Sequence, residues 1–336
     1  MRRDPNTPAG EIRTLWLDSR LLQGNPLQDA TRRRVDVYLP AGHDGRGLPL
    51  LVDLVGFLNG GPVHTNWRNF GENLPERLDR LIAQGTLPPV VVAIPDCFTR
   101  LGGNQYINST GVGPWADVLR EEVVPLVEST FGCGGDGRRG VFGKSSGGYG
   151  AMMHALLYPQ FWAAAACHSG DMAFELIFLS EFPKVLRALA PYKFNVEAWL
   201  DNFHAGPKFK GNDLHILLML AMCASFDPDP DSPLGICLPV ETDTCELIAE
   251  RWHNFMQWDP LTVAAERGAG MRAMKLLYID CGTQDQYNLL YGARRMHRLL
   301  QHLEVPHVYE EFKDDHTAVD YRMDGSLPLL VKALQG

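Results

Sequence analysis

The stretch Val141-Phe142-Gly143-Lys144-Ser145-Ser146-Gly147-Gly148-Tyr149-Gly150 sets a serine between two glycines, after a short apolar run and before an Ala/Met/Leu-rich one. A strand, a tight turn and a helix in that order would hold the Ser145 hydroxyl above the edge of a sheet, where it can attack a carbonyl carbon. Such a turn strains the serine backbone and brings strand and helix so close that side chains at 143 and 147 would collide. The amide of Ser146, opening the helix, would then point at a developing oxyanion. The Gly-Lys-Ser triplet is not a phosphate loop, because that motif needs a glycine where this chain has Arg138.

A serine is a weak nucleophile at neutral pH until an imidazole takes its proton, and the imidazole needs a carboxylate to fix its tautomer. On an elbow of this kind the three follow in the order Ser, Asp or Glu, His. The run Leu276-Leu277-Tyr278-Ile279-Asp280-Cys281-Gly282-Thr283-Gln284-Asp285 offers two acids. Asp280 lies at the strand end and Asp285 beyond the Gly282 turn, and the loop position favours Asp285. His316 follows the last strand pattern and precedes a C-terminal helix pattern, which is where the base belongs. His297 and His302 fall on a helical pattern, His307 enters a strand, and His43, His204, His215 and His253 have no comparable loop. A second oxyanion amide is expected after the third strand, where Asp53-Leu54-Val55-Gly56-Phe57-Leu58-Asn59-Gly60-Gly61 is glycine-rich. The Phe57 amide is the candidate. This chemistry needs no metal and no organic cofactor.

The elements that must position these groups form an α/β pattern. Residues 12–18 and 34–39 alternate apolar and polar, as half-buried antiparallel strands do. From residue 50 the strand patterns become continuous apolar runs (50–55, 90–94, 141–142, 163–167, 276–279), which suits strands covered by helices on both faces. Helical patterns lie between them at 115–130, 151–157 and 291–303, and Pro125 is expected to kink or end the first. The alternation predicts a mostly parallel sheet flanked by helices. Residues 171–258 interrupt it with a Phe-, Leu-, Trp- and Pro-rich insertion too long for a structureless loop. Helical patterns at 181–189 and 246–255 make it a mainly helical cap, packed on the body or forming one wall of a pocket. The expected organisation is a disordered leader at 1–10, a core of 11–170 and 259–336, and a cap at 171–258.

Composition narrows the partners. The chain has 336 residues, 45% of them hydrophobic, and a formal net charge of -9. This excludes a general nucleic-acid or anionic-membrane binder, since such surfaces need clustered Lys and Arg. The basic runs Arg2-Arg3 and Arg32-Arg33-Arg34 read as solvated charge. Seven cysteines without paired or CxxC spacing fit a reducing, cytoplasmic setting. No stretch reads as a signal peptide or a bilayer span, and association as a homodimer stays open.

The segment 143–150, with its extra glycine after the serine turn, resembles the esterase D branch of the α/β-hydrolases. This is the putative esterase family, which includes S-formylglutathione hydrolases, enterochelin esterases, feruloyl esterases and mycolyltransferases. Val37-Tyr38-Leu39-Pro40, Ile94-Pro95-Asp96, Gly102-Gly103-Asn104-Gln105-Tyr106-Ile107-Asn108-Ser109 and Cys281-Gly282-Thr283-Gln284-Asp285 resemble its other motifs. The resemblance implies an α/β-hydrolase fold, a triad of Ser145, Asp285 and His316, and oxyanion amides from Phe57 and Ser146. Val55-Gly56 stands where many members have His-Gly, which removes a side chain that helps order the loop, and the long cap is not shared by the smaller members.

The expected activity is that of a serine carboxylester hydrolase on a small-molecule ester. An acyltransferase using the same acyl-enzyme and a catalytically idle binding protein are the alternatives. Asp96, Tyr106, Asn108 and Trp115, beyond the fourth strand, are the expected substrate contacts, as open α/β sheets bind ligands there, and packing under the loop is the equal alternative for Tyr106 and Trp115. Lys144 is expected to point away from the site as a solvated or salt-bridged side chain. The aromatic cap suggests an apolar or aromatic group on one side of the ester.

Overall fold

The apolar runs become strands buried on both faces. In the computed structural model, which describes residues 4–335, eight strands form one sheet. They are β1 (Glu11–Asp18), β2 (Arg32–Leu39), β3 (Leu50–Leu54), β4 (Val91–Pro95), β5 (Arg139–Lys144), β6 (Ala164–His168), β7 (Leu276–Gly282) and β8 (Val308–Phe312). The spatial order is β1-β2-β4-β3-β5-β6-β7-β8. β1 pairs antiparallel with β2 and β2 antiparallel with β4, while every other neighbour is parallel. The chain leaves β3 for β4 on one side and returns to β5 on the other, so the loops after β3 and β5 diverge at the switch point where such sheets bind ligands.

Alternation along each strand divides the core in two. Leu50, Val52 and Leu54 of β3 join the larger core with residues 115–131 (α2), Ser146–Leu157 (α3) and Leu289–His302 (α10). Leu51, Val92 and Phe142 face the other way, onto α1 (Leu74–Ala83) and α11 (Met323–Gln335). Within α2 the backbone is π-helical from Val118 to Val123, and Pro125 sits in the first turn of the α-helical stretch that follows. The helix therefore runs through rather than breaking: the wide turn supplies the place where a residue without an N–H is tolerated.

The insertion contains α4 (Phe174–Ile177), α5 (Phe182–Leu189), α6 (Val196–Ala205), α7 (Asp213–Phe226) and α8 (Ala249–Met256), and α9 (Pro260–Arg267) leads back to β7. Its aromatic residues pack on one another: Phe226 lies 4.9 Å from Phe174 and 5.0 Å from Phe255, centroid to centroid. Tyr149 of α3 joins them, 5.6 Å from Phe226, with its hydroxyl donating to Trp258 O at 3.0 Å. Each buried aromatic is worth roughly 1.5–3 kcal/mol, so the cluster ties the insertion to the body.

Arg2-Arg3 lies outside the described residues. Residues 4–10 contain a turn closed by Thr7 N–H onto Asp4 O, and the Gly10 amide donates to Asp79 Oδ1 at 2.7 Å. Arg34 is bonded to Asp36 and Arg33 to Phe98 O, so this basic run is engaged within the fold and not simply solvated. All seven cysteines are free thiols. Among the described residues no helix is long and apolar enough to cross a membrane, and no cluster of His, Cys, Asp and Glu could hold a metal ion.

Candidate active site

The elbow forms at the end of β5. Ser145 has φ 58° and ψ -125°, a conformation costly for a residue with a side chain, and its N–H is fixed by His168 O at 3.0 Å. A Cβ at 147 would lie 1.8 Å from Leu54 O and one at 143 would lie 2.3 Å from it. No rearrangement of side chains could relieve such contacts, because the obstacle is the backbone of β3. The two glycines are therefore the condition for seating the turn against its neighbouring strand.

The structure separates the two candidate acids. Asp285 Oδ2 lies 2.8 Å from His316 Nδ1, and Oδ1 accepts the Tyr287 N–H at 2.9 Å. Gln286 Oε1 receives the His316 N–H at 3.0 Å, and the Tyr287 ring meets the imidazole edge-on at 5.0 Å. Asp280 is occupied elsewhere, with Oδ1 2.8 Å from His168 Nδ1 and Oδ2 accepting from Arg322 Nε at 2.9 Å. The other nitrogen of His168 reaches Ser326 Oγ at 2.9 Å. This second Ser-His-Asp set is sealed, with its three residues at most 2% exposed. Burial alone would raise the Asp280 carboxyl, but His168 and Arg322 outweigh it and hold it below the usual range. It braces β6, β7 and α11 beneath the site.

Ser145, Ser146, Gly56, Phe57 and His316 line one cavity of about 670 Å³. Neither the Phe57 nor the Ser146 amide donates to a backbone carbonyl among the described residues. Gln105 Nε2 donates to Ser146 Oγ at 2.7 Å and so pins the first residue of α3. The oxyanion loop is ordered from below: the Tyr106 hydroxyl donates to Val55 O at 2.6 Å.

None of the four expected substrate contacts lines this cavity. Tyr106 and Trp115 are fully buried, and the Trp115 Nε1–H donates to Val112 O at 2.9 Å. Asp96 accepts the Phe98 N–H at 3.1 Å and Asn108 the Asp117 N–H at 3.1 Å. All four serve the loop's own framework. Lys144 also departs from expectation: its Nζ donates to His316 O at 3.1 Å, and it lines the cavity. Burial lowers its pKa, against the opposing pull of Asp320. The wall is instead made by the insertion, through Ile177, Phe178, Leu218 and Met219, and by Gln286 and Tyr287 beside the acid. Tyr287 and Gln286 were within reach of sequence reasoning, since they directly follow Asp285 on its loop.

A mostly parallel eight-stranded sheet with a serine elbow after β5, an acid loop after β7 and a histidine loop after β8 defines an α/β-hydrolase. The chain belongs to the putative esterase family, whose model, described as "Putative esterase", matches residues 30–324. It is a carboxylic ester hydrolase. No curated protein matches the sequence. Among solved structures, a ferulic acid esterase is similar with a TM-score of 0.62 at 18% identity, covering 97% of this chain and 99% of that one. An S-formylglutathione hydrolase from Agrobacterium tumefaciens has a TM-score of 0.59 at 15% identity, with 99% of each chain covered. The corresponding enzyme from Staphylococcus aureus has a TM-score of 0.58 at 14%, covering 96% and 99%. At these identities the likeness is one of fold.

Proposed function

We propose that the protein cleaves carboxylic esters through an acyl-enzyme on Ser145, with His316 as base and Asp285 as its partner. The observation that carries this reading is the 2.8 Å contact of His316 Nδ1 with Asp285 Oδ2, beside a cavity that the strained Ser145 also lines. With Nδ1 engaged by the carboxylate, Nε2 is the nitrogen left to take the serine proton. The Ser145 oxygen attacks the ester carbonyl, and the tetrahedral oxyanion is held by the amides of Phe57 and Ser146. His316 gives its proton to the leaving alcohol, water repeats the sequence on the acyl-enzyme, and Asp285 stabilises the imidazolium in both halves. Lys144, holding the His316 carbonyl, and Tyr287, against the ring edge, keep the imidazole in place.

The Ser145→Ala variant tests this with p-nitrophenyl acetate as substrate. The folded variant is expected to lose kcat by at least about 10⁴-fold. Hydrolysis at the wild-type rate would end the reading.

A further inference from the structure

One carboxyl group in the cavity wall has neither a part in the proposed chemistry nor a partner among the described residues. Asp171 follows β6 on the turn into α4, is 8% exposed, and lines the cavity with Ser145 and His316. Its carboxylate makes no hydrogen bond or ion pair among the described residues. The other charged side chains of the wall are engaged: Lys184 Nζ and His215 Nε2 lie 2.7 Å and 2.6 Å from Glu181 Oε2, and Lys144 donates to His316 O. Burial pushes the Asp171 carboxyl up to about 7; His316 opposes that rise and Asp285 adds to it.

The turn that presents this side chain is held from several directions. Ser169 and Ala173 have φ of 43° and 64°, left-handed conformations in residues that are not glycine. Ser169 N–H donates to Asp280 O at 2.8 Å, and the Ala173 and Phe174 N–H groups donate to the Asp259 carboxylate at 3.2 and 2.9 Å. A Cβ on Gly170 would lie 2.5 Å from Cys167 Sγ, so the chain passes here at contact distance from β6. Strained non-glycine backbone persists where its surroundings over-determine it, and it concentrates at ligand-holding sites. Buried carboxylates in folded proteins are paired, since an unpaired one is costly. Asp171 lines the open cavity, so water serves its carboxylate until a bound ester displaces that water and supplies the partner instead.

We infer that Asp171 is a specificity-determining residue, accepting a hydrogen bond from a hydroxyl or ammonium group carried by the ester. Ile177, Phe178, Leu218 and Met219 on the same wall call for a substrate that is otherwise apolar. The inference rests on the esterase reading of the site.

Matched esters that differ by one donor group test it. On the acyl side, p-nitrophenyl butyrate is compared with its 3-hydroxybutyrate and 4-(dimethylamino)butyrate analogues. On the alcohol side, propyl butyrate is compared with 3-hydroxypropyl and 3-(dimethylamino)propyl butyrate, following acid release. For at least one pair the wild type is expected to favour the donor-bearing ester by about tenfold or more in kcat/KM. In Asp171→Leu that ratio falls to near one. In Asp171→Asn, which still accepts a hydrogen bond, a preference for hydroxyl survives and one for ammonium is lost. A ratio near one for every pair in the wild type, or an unchanged ratio in Asp171→Leu, would overturn the inference while leaving the esterase reading intact. Failure of the wild type to cleave even the plain esters would instead remove the reading on which it rests.

Discussion

Asp280 and Asp285 lie five positions apart on one strand and its loop, and their surroundings give them opposite tasks. Asp280 is compressed between His168, Arg322 and the Tyr278 hydroxyl, whereas Asp285 holds one imidazole at the cavity wall. Asp280→Asn takes the carboxylate away from buried His168 and from Arg322, which is partly buried and keeps Glu310 as a partner, and the expected loss is about 1–3 kcal/mol of stability in urea denaturation. Asp285→Asn favours the wrong imidazole tautomer, with an expected fall in kcat of about 10⁴-fold in a protein that still folds. If Asp285→Asn keeps its activity while Asp280→Asn folds and loses it, the two roles are reversed. Loop placement pointed to Asp285 in the sequence. Nothing there revealed that His168 and Ser326 would complete a sealed second set, because each belongs to a different element and only the folded sheet brings them together.

Among the elements, the elbow was the most legible, since its glycines answer a backbone clash that any sheet of this kind imposes. Gly147→Ala drives a methyl into Leu54 O, where nothing flexible can yield. The expected cost exceeds about 3 kcal/mol, above the range for ordinary overpacking. Thermal unfolding checks this, and a variant with wild-type Tm and activity would show that the turn is not packed as described. α7 was the least legible helix: ten of its fourteen residues are buried, so it carries no polar stripe for a helical period to reveal. After β4 the sequence left two roles open for its aromatic residues, and packing decides between them. Tyr106 and Trp115 have the chemistry of ligand contacts, but both spend their polar atoms on the chain's own carbonyls, beneath the loop rather than above it. Lys144 was expected to point away because its sequence neighbour faces the site. The ammonium reaches back along the cavity wall to the His316 loop, a contact between residues 172 positions apart that spacing could not disclose.

For the whole molecule, the alternation of strands and helices was enough to anticipate one mostly parallel sheet. The insertion was legible as helical, but its division into an aromatic cluster and a cavity wall depends on packing. The fold also carries a pH dependence separate from catalysis. His154 lies wholly buried in α3, with Nε2 2.9 Å from Tyr106 O and Nδ1 accepting from Trp162 Nε1 at 2.9 Å. Burial pushes its pKa down from 6.5 to about 4. Below pH 6.5 the unfolded chain takes up a proton that the folded protein refuses, so stability declines as pH falls from 6.5 to 4, by about 3 kcal/mol in all. Urea denaturation across that range is expected to show a flatter dependence in His154→Gln than in the wild type; equal slopes would contradict it. The central claim is that Ser145 is a nucleophile activated by His316 and Asp285, and its most direct test is fluorophosphonate labelling followed by peptide mapping. The expected result is a single adduct on Ser145, absent in Ser145→Ala and strongly slowed in His316→Ala. A wild-type protein that takes no label at Ser145, or takes it there equally fast without His316, would contradict the mechanism.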